Sequence, residues 1–177
     1  MFEPIDTIRQ RQGLCVIIGG AEQRLEYARQ LDRDCTAERI QTVLVESHAF
    51  RQSLHLTQYI AKSLGLPVKR TRYDQWRVLD SILMKRPARE PNMALIVNDA
   101  HLFNDSLFNT ILSIWNSQPL IERPYIPMQI ALLGTRALQD ILINSKDSTL
   151  MSLKSRVWRW KVLTEADYPG AGGRETQ

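Results

Sequence analysis

Two cysteines and three histidines in 177 residues leave little material for a disulfide framework or a metal cage. Cys15 and Cys35 match no zinc or redox spacing, and Cys15 lies inside an apolar run, where it reads as a small core residue. His48 and His55 lack partners at ligand spacing and read as structural or solvent-facing, so no metal site is expected. No apolar run approaches the ~20 residues of a membrane span. The first residues, Met1-Phe2-Glu3-Pro4-Ile5-Asp6, carry no signal-peptide features. A reducing cytoplasm is the expected setting. Internal repeats and low-complexity segments are also missing. A net charge of +4 falls well short of a basic nucleic-acid tail. What remains is an ordinary globular composition, 44% apolar and 24% charged, long enough for one domain with a real core.

The strongest positive signal is Met93-Ala94-Leu95-Ile96-Val97-Asn98-Asp99-Ala100-His101, an apolar run that ends abruptly in an amide and a carboxylate. Such a run reads as a strand buried on both faces. Polar residues at the carboxyl end of a strand in an open α/β sheet sit where ligands bind. Further strands are predicted at 13–18, ending in the Gly19-Gly20 turn, and at 40–45, 128–133 and 157–163. Helices are predicted over 21–34, about 50–64, from Trp76 onward with Asp74 as a cap, after Asn104 or Asp105, over 137–143 and over 148–154. Gly65 and Pro67 stop the second of these helices. Strands alternating with helices imply a parallel sheet with helices on both faces. The chain divides into a segment 1–12, an α/β core 13–164, and a glycine-rich tail 165–177 expected to be disordered.

Strand, glycine turn and helix is the setting of a phosphate-binding loop. A working loop reads G-x-x-x-x-G-K-[ST], with the lysine on the outer phosphates and the hydroxyl on Mg²⁺. Counted from Gly19, its last three places hold Arg24, Leu25 and Glu26; counted from Gly20, they hold Leu25, Glu26 and Tyr27. Neither register supplies lysine or hydroxyl, and an arginine fork does not replace an ammonium. A plain strand-to-helix turn is the alternative reading. A second polar feature, Lys69-Arg70-Thr71-Arg72-Tyr73-Asp74-Gln75-Trp76-Arg77, interleaves cations with aromatics. Such a stretch stacks on bases and contacts phosphates, or forms a solvated helix entry around one packed Trp.

Three stretches carry a family resemblance: Leu54 to Pro67, Ala94 to Leu102, and Gln129 to Gly134 continuing through Leu153 to Val157. With the order of elements from Gly13 to Thr164, they resemble the AAA+ ATPase core of the ExeA/GspA secretion-pathway type, and are similar to the transposition ATPases TniB and TnsC. The resemblance implies a P-loop NTPase-like α/β sandwich (the AAA+ core) around a central five-stranded parallel sheet. The helical lid that AAA+ relatives carry after this point is expected to be absent. By the same resemblance, Asn98 stands where the family has its Mg²⁺ aspartate and Asp99 where it has the glutamate that activates water. Thr135 holds the sensor place. Arg156 matches the arginine that many relatives offer to a neighbouring subunit's nucleotide, or serves as a surface ion-pair partner.

Phosphoryl transfer rests on positioning and charge stabilisation. A chain without the lysine, the hydroxyl and the metal acid is therefore expected to be a pseudo-ATPase with no catalytic residue and no cofactor. The implied role is a scaffold or adaptor for a protein partner, either an active ATPase or a membrane-associated, secretion-type assembly; oligomerisation stays open. One alternative is a DNA-binding accessory of the TniB type, using Lys69, Arg70, Arg72 and Arg77 with Lys154, Arg156, Arg159 and Lys161. Another is a switch that binds ATP or ADP without hydrolysis.

Overall fold

The apolar stretches become five strands: β1 (Leu14–Ile18), β2 (Gln41–Glu46), β3 (Met93–Asn98), β4 (Met128–Gly134) and β5 (Arg159–Val162). They form one sheet in the order β2-β3-β4-β1-β5, and every neighbouring pair is parallel. The computed structural model describes residues 14–85, 93–117 and 128–164. The segment 1–12, the basic, proline-punctuated stretch 86–91, for which the sequence predicts a loop, and the tail 165–177 lie outside the described residues. Between the strands run α1 (Ala21–Ala37), α2 (Ser53–Ser63), α3 (Arg72–Lys85), α4 (Asp105–Asn116), α5 (Arg136–Asn144) and α6 (Ser148–Lys154).

Connections between parallel strands are right-handed, so the direction of each crossover decides which face its helix covers. Only β1 to β2 runs across the sheet one way; β2 to β3, β3 to β4 and β4 to β5 all run the other. Among the described residues α1 therefore stands alone on its face, where Tyr27, Ala28, Leu31 and Cys35 pack on Cys15, Ile17, Ile96 and Leu133. Helices α2 to α6 cover the opposite face through Leu56, Ile60, Leu79, Phe108, Leu138 and Leu153, against Val16, Leu95, Val97 and Ile130. Helices on both faces were expected; the unequal division follows from strand order, which periodicity does not contain. Strand β3 lies between β2 and β4 and is buried along its whole length. That explains its continuous apolar run.

Boundaries moved where local hydrogen bonding outweighed hydrophobic period. Helix α1 runs past Asp34 to Ala37 and closes with the Ile40 amide donating to the Cys35 carbonyl at 2.8 Å and the Arg39 amide to Thr36 at 3.1 Å. Arg39 takes the left-handed conformation (φ 61°) usually given to glycine in this closure. Gly65 does the same for α2, with φ 70°. Helix α2 starts at Ser53 rather than near Phe50, because Ser47–Ala49 winds into a short 3₁₀ turn and Phe50 stays extended. The predicted cap of α3 is corrected: Asp74 lies in its first turn, and its amide donates to Thr71 Oγ1 at 3.1 Å. Thr71 caps, and Asp74 answers by accepting the Thr71 hydroxyl at 2.7 Å. For α4 the side chain that caps is Asn104.

Both thiols are buried, Cys15 on β1 and Cys35 on α1, and burial pushes each up to about 12. Thiolate, the reactive form, is then scarce at any ordinary pH. In native protein neither cysteine should react with Ellman's reagent, and both should react at the rate of unfolding. Rapid modification of either thiol before the loss of far-UV circular dichroism would contradict this packing.

Candidate functional site

The carboxyl ends of the parallel strands form one crest, and the crossovers that leave β1 and β4 run in opposite directions, so the switch point where ligands bind in open α/β sheets lies between these two strands. Only Gly19 and Gly20 separate the last residue of β1 from the first of α1. The Gly19 amide donates to the Gly134 carbonyl at the end of β4, at 3.1 Å. A β-carbon at Gly19 would come within 2.9 Å of Leu163 Cδ1, so any larger residue there would have to displace the Leu163 side chain that follows β5. Gly20 caps α1, and its amide donates to Gln23 Oε1 at 3.0 Å.

Arg24 sits just beyond the first turn of α1, and helical side chains lean back toward the N-terminus. Its guanidinium therefore returns over the glycine turn. Nη1 donates to the Gly19 carbonyl at 2.5 Å, and Nη2 pairs with Asp99 Oδ1. The Arg24 side chain is 4% exposed and that of Asp99 26%, so the pair is largely withdrawn from water. Asp99 follows β3 directly in the left-handed conformation (φ 54°, ψ 37°), which a short polar residue tolerates better than a branched one. The chain then enters the 3₁₀ turn Ala100–Leu102.

Asn98 ends β3 at 5% exposure. Its Nδ2 donates to Glu46 Oε2 on the neighbouring strand end at 3.0 Å, and its carbonyl accepts the Ser47 hydroxyl at 2.5 Å. An amide can donate to Glu46 where a carboxylate would repel it. Arg24 Nε, Asn98 Oδ1 and His101 Nδ1 are buried without a protein partner, so the crest interior keeps a polar character. Burial lowers the His101 pKa; Asp99 opposes that shift and Arg24 reinforces it.

Gly19, Gly20, Arg24, Asn98 and Asp99 are thus brought together. Thr135 joins the crest after Gly134, with its Oγ1 accepting the Ala137 amide at 3.3 Å as the cap of α5. Leu25 is half-buried on α1, and Glu26 pairs with Arg33 at 2.8 Å. Arg156 lies at the opposite end of the sheet: its Nη1 donates to the Ser152 carbonyl at 2.6 Å, and two residues on, the Trp158 amide bonds to Leu14 at the start of β1.

The basic residues form two separate groups. Lys69, Arg70, Arg72 and Arg77 are exposed around the start of α3, with Arg77 over the Tyr73 ring at 5.8 Å. Arg159 and Lys161 pair in register with Cys15 and Ile17 and so face α1 on the other side of the sheet, Lys161 lying over the Tyr27 ring at 5.2 Å. Sequence reading missed Gln23, Glu46, Ser47 and His101. Glu46-Ser47 was findable, since parallel strands end at the same crest and these residues follow β2 directly.

No family model matches the chain, and no curated protein matches it. Solved structures do. The *Aeropyrum pernix* ORC2 protein in its ADPNP–ADP complexes matches with a TM-score of 0.61 at 12% identity, over 86% of this chain and 42% of that one. Cdc6p from *Pyrobaculum aerophilum* matches with a TM-score of 0.63 at 17% identity, over 88% and 41%. The *A. pernix* ORC1 protein in complex with DNA matches with a TM-score of 0.60 at 11% identity, over 86% and 40%. The likeness is one of fold: an α/β sandwich of the AAA+ P-loop NTPase type on a five-stranded, all-parallel sheet. The chain spans about two-fifths of the length of these structures. Among the described residues no helical lid is evident, and no helix is long and apolar enough to cross a membrane.

Removing one partner of a buried ion pair leaves the other charge stranded, at a cost of about 3–5 kcal/mol. Asp99→Ala should lose about 3 kcal/mol, the lower end, because Asp99 keeps some solvent contact. Arg24→Met, which leaves only the more hydrated partner, should lose less in urea denaturation. The reverse order would mean that the pair does not hold the crest. Asn98→Asp should set a carboxylate against Glu46 and cost about 1–3 kcal/mol near neutral pH. Mutual repulsion raises one carboxyl pKa above its unfolded value, so that penalty must shrink as pH falls to about 4. A pH-independent penalty would exclude the charge explanation.

Proposed function

We propose that this chain is a pseudo-ATPase: an AAA+-type core working as a protein-interaction scaffold or regulatory adaptor within a larger assembly. The observation that carries the reading is Arg24, whose guanidinium lies across the glycine turn and is bound to Gly19 and Asp99. A Mg-nucleotide fits this set of groups poorly. The phosphate-loop motif places four residues between its glycines to wrap the phosphates, whereas Gly19-Gly20 is the entire connection to α1. The Gly20 amide is committed to Gln23, and the place of the metal-binding acid is held by Asn98, a poorer ligand for a hard dication. Kinship with the ExeA/GspA secretion ATPases or with TniB and TnsC belongs to this proposal, on the stretches 54–67, 94–102 and 129–157, and names the kind of assembly in which an adaptor would act.

A second reading, a DNA-binding accessory, is favoured by one observation: Lys69, Arg70, Arg72 and Arg77 stand exposed together around Tyr73. The *A. pernix* ORC1 structure and the *Drosophila* ORC structure, which this fold resembles, both contain DNA.

Calorimetry with ATP and with ADP should give no binding heat, and Mg-ATP turnover should equal the buffer blank. The double change Leu25→Lys with Glu26→Thr should restore neither, because it supplies the missing side chains at their motif places, counted from Gly19, without lengthening the turn. Binding without turnover would replace this reading with a nucleotide switch. Turnover abolished by Asn98→Ala would end it.

A further inference from the structure

A groove of about 420 Å³ opens between α2, α3 and α4, away from the crest residues, lined by Ser53, Thr57, Arg72, Tyr73, Trp76 and Thr110, with Ser113 beside them. Its volume falls within the ~300–1,000 Å³ of ligand sites. The lining divides by depth: Ser53, Thr57 and Thr110 are buried and form the floor, whereas Tyr73, at 71% exposure, and Arg72 stand at the rim.

The floor has a definite polarity. Thr110 Oγ1 lies 2.9 Å from the Ser106 carbonyl and 2.6 Å from Ser53 Oγ, and the arrangement that satisfies both hydroxyls has Thr110 donating to the carbonyl and Ser53 donating to Thr110. Thr57 directs its proton to the carbonyls of Ser53 and Leu54 at 3.0 and 2.9 Å. All three protons are therefore committed within the protein, and what the oxygens offer the groove is lone pairs. The floor accepts hydrogen bonds.

The rim adds aromatic faces and positive charge. Tyr73 and Trp76 stand one helical turn apart on α3, and Lys69, Arg70, Arg72 and Arg77 surround them. Among the described residues none of these four cations is held in an ion pair. A ligand with a planar ring to stack, an amino group to donate and a phosphate to neutralise meets all three demands. We infer that this groove takes one unpaired base of a single-stranded nucleic acid, stacked on Tyr73 and Trp76, with the flanking phosphates on the cations of the rim. A base with an exocyclic amino group suits the accepting floor; thymine has none. A duplex keeps its bases stacked and paired, and presents no such ring. The inference rests on the nucleic-acid reading above and is independent of the fate of the nucleotide site.

The test is fluorescence anisotropy at low salt with labelled strands of about 12 nucleotides, the span of one stacking module. An oligodeoxycytidylate should bind more tightly than an oligothymidylate, an abasic strand of equal length or a duplex. Tyr73→Ala, at an exposed position that the fold does not need, should weaken the cytidylate about tenfold and the abasic strand hardly at all. Arg72→Ala should weaken both and reduce the salt slope by about 0.7, the value for one phosphate on a single strand. Tight duplex binding indifferent to Tyr73→Ala would overturn the inference while leaving the DNA-accessory reading standing. Equal affinity for cytidylate, thymidylate and abasic strands would overturn it too, by placing the base outside the groove. Binding to no strand at low salt would remove both readings and leave the groove to a protein partner.

Discussion

A guanidinium that is 4% exposed must keep its counter-charge, and most of this crest is arranged around that requirement. Arg24 belongs to α1 and Asp99 to the turn after β3, two elements on different strands of the sheet, with the end of β4 between them. The pair therefore ties the helix on one face to the central strand, and the bond from Arg24 to Gly19 adds the end of β1. The bond from Gly19 to Gly134 completes the closure through β4. An incoming phosphate would find the guanidinium already neutralised, and Asp99 beside it to repel the new charge. Any ligand at this place must displace an internal ion pair before it gains one of its own.

The neighbouring groups follow the same pattern of internal satisfaction. Asn98 donates to Glu46, Ser47 donates to Asn98, and Gln23 accepts from Gly20. Each of these groups has its partner on an adjacent strand or within α1. The three buried atoms left over, Arg24 Nε, Asn98 Oδ1 and His101 Nδ1, lie on the same residues or beside them. They keep the interior of the crest polar beside the ion pair.

Much of this was legible in sequence because burial leaves a simple trace. The run Met93 to Val97 marks a strand covered on both faces, and Phe108, Ile111 and Trp115 mark one side of α4; both held. What failed to show was set by pairs distant in the chain. The bond from Asn98 to Glu46 joins residues 52 positions apart, and that from Arg24 to Asp99 joins residues 75 apart. Periodicity is a local property and carries neither. Boundaries shifted for a related reason: Arg39 in a left-handed turn and Phe50 in an extended one obey hydrogen bonding and ring packing that no apolar period encodes. One feature was available from local reading alone: with the strand ending at Ile18 and the helix starting at Ala21, the turn holds two residues, where the phosphate-loop motif places four between its glycines.

That shortness also bears on why substitutions at the crest count for less than its backbone. Single changes can introduce a lysine or a threonine but not a longer turn, because α1 already begins at Ala21 and packs Tyr27, Ala28 and Leu31 against the sheet in that register. Adding residues would push α1 along its axis or bulge the turn into Leu163, which already lies against Gly19. The two glycines at the end of β1 are thus the constraint and Arg24 its consequence: once the helix starts so close to the strand, a long side chain in its second turn falls across the crevice. Asp99 then supplies the charge that lets it stay.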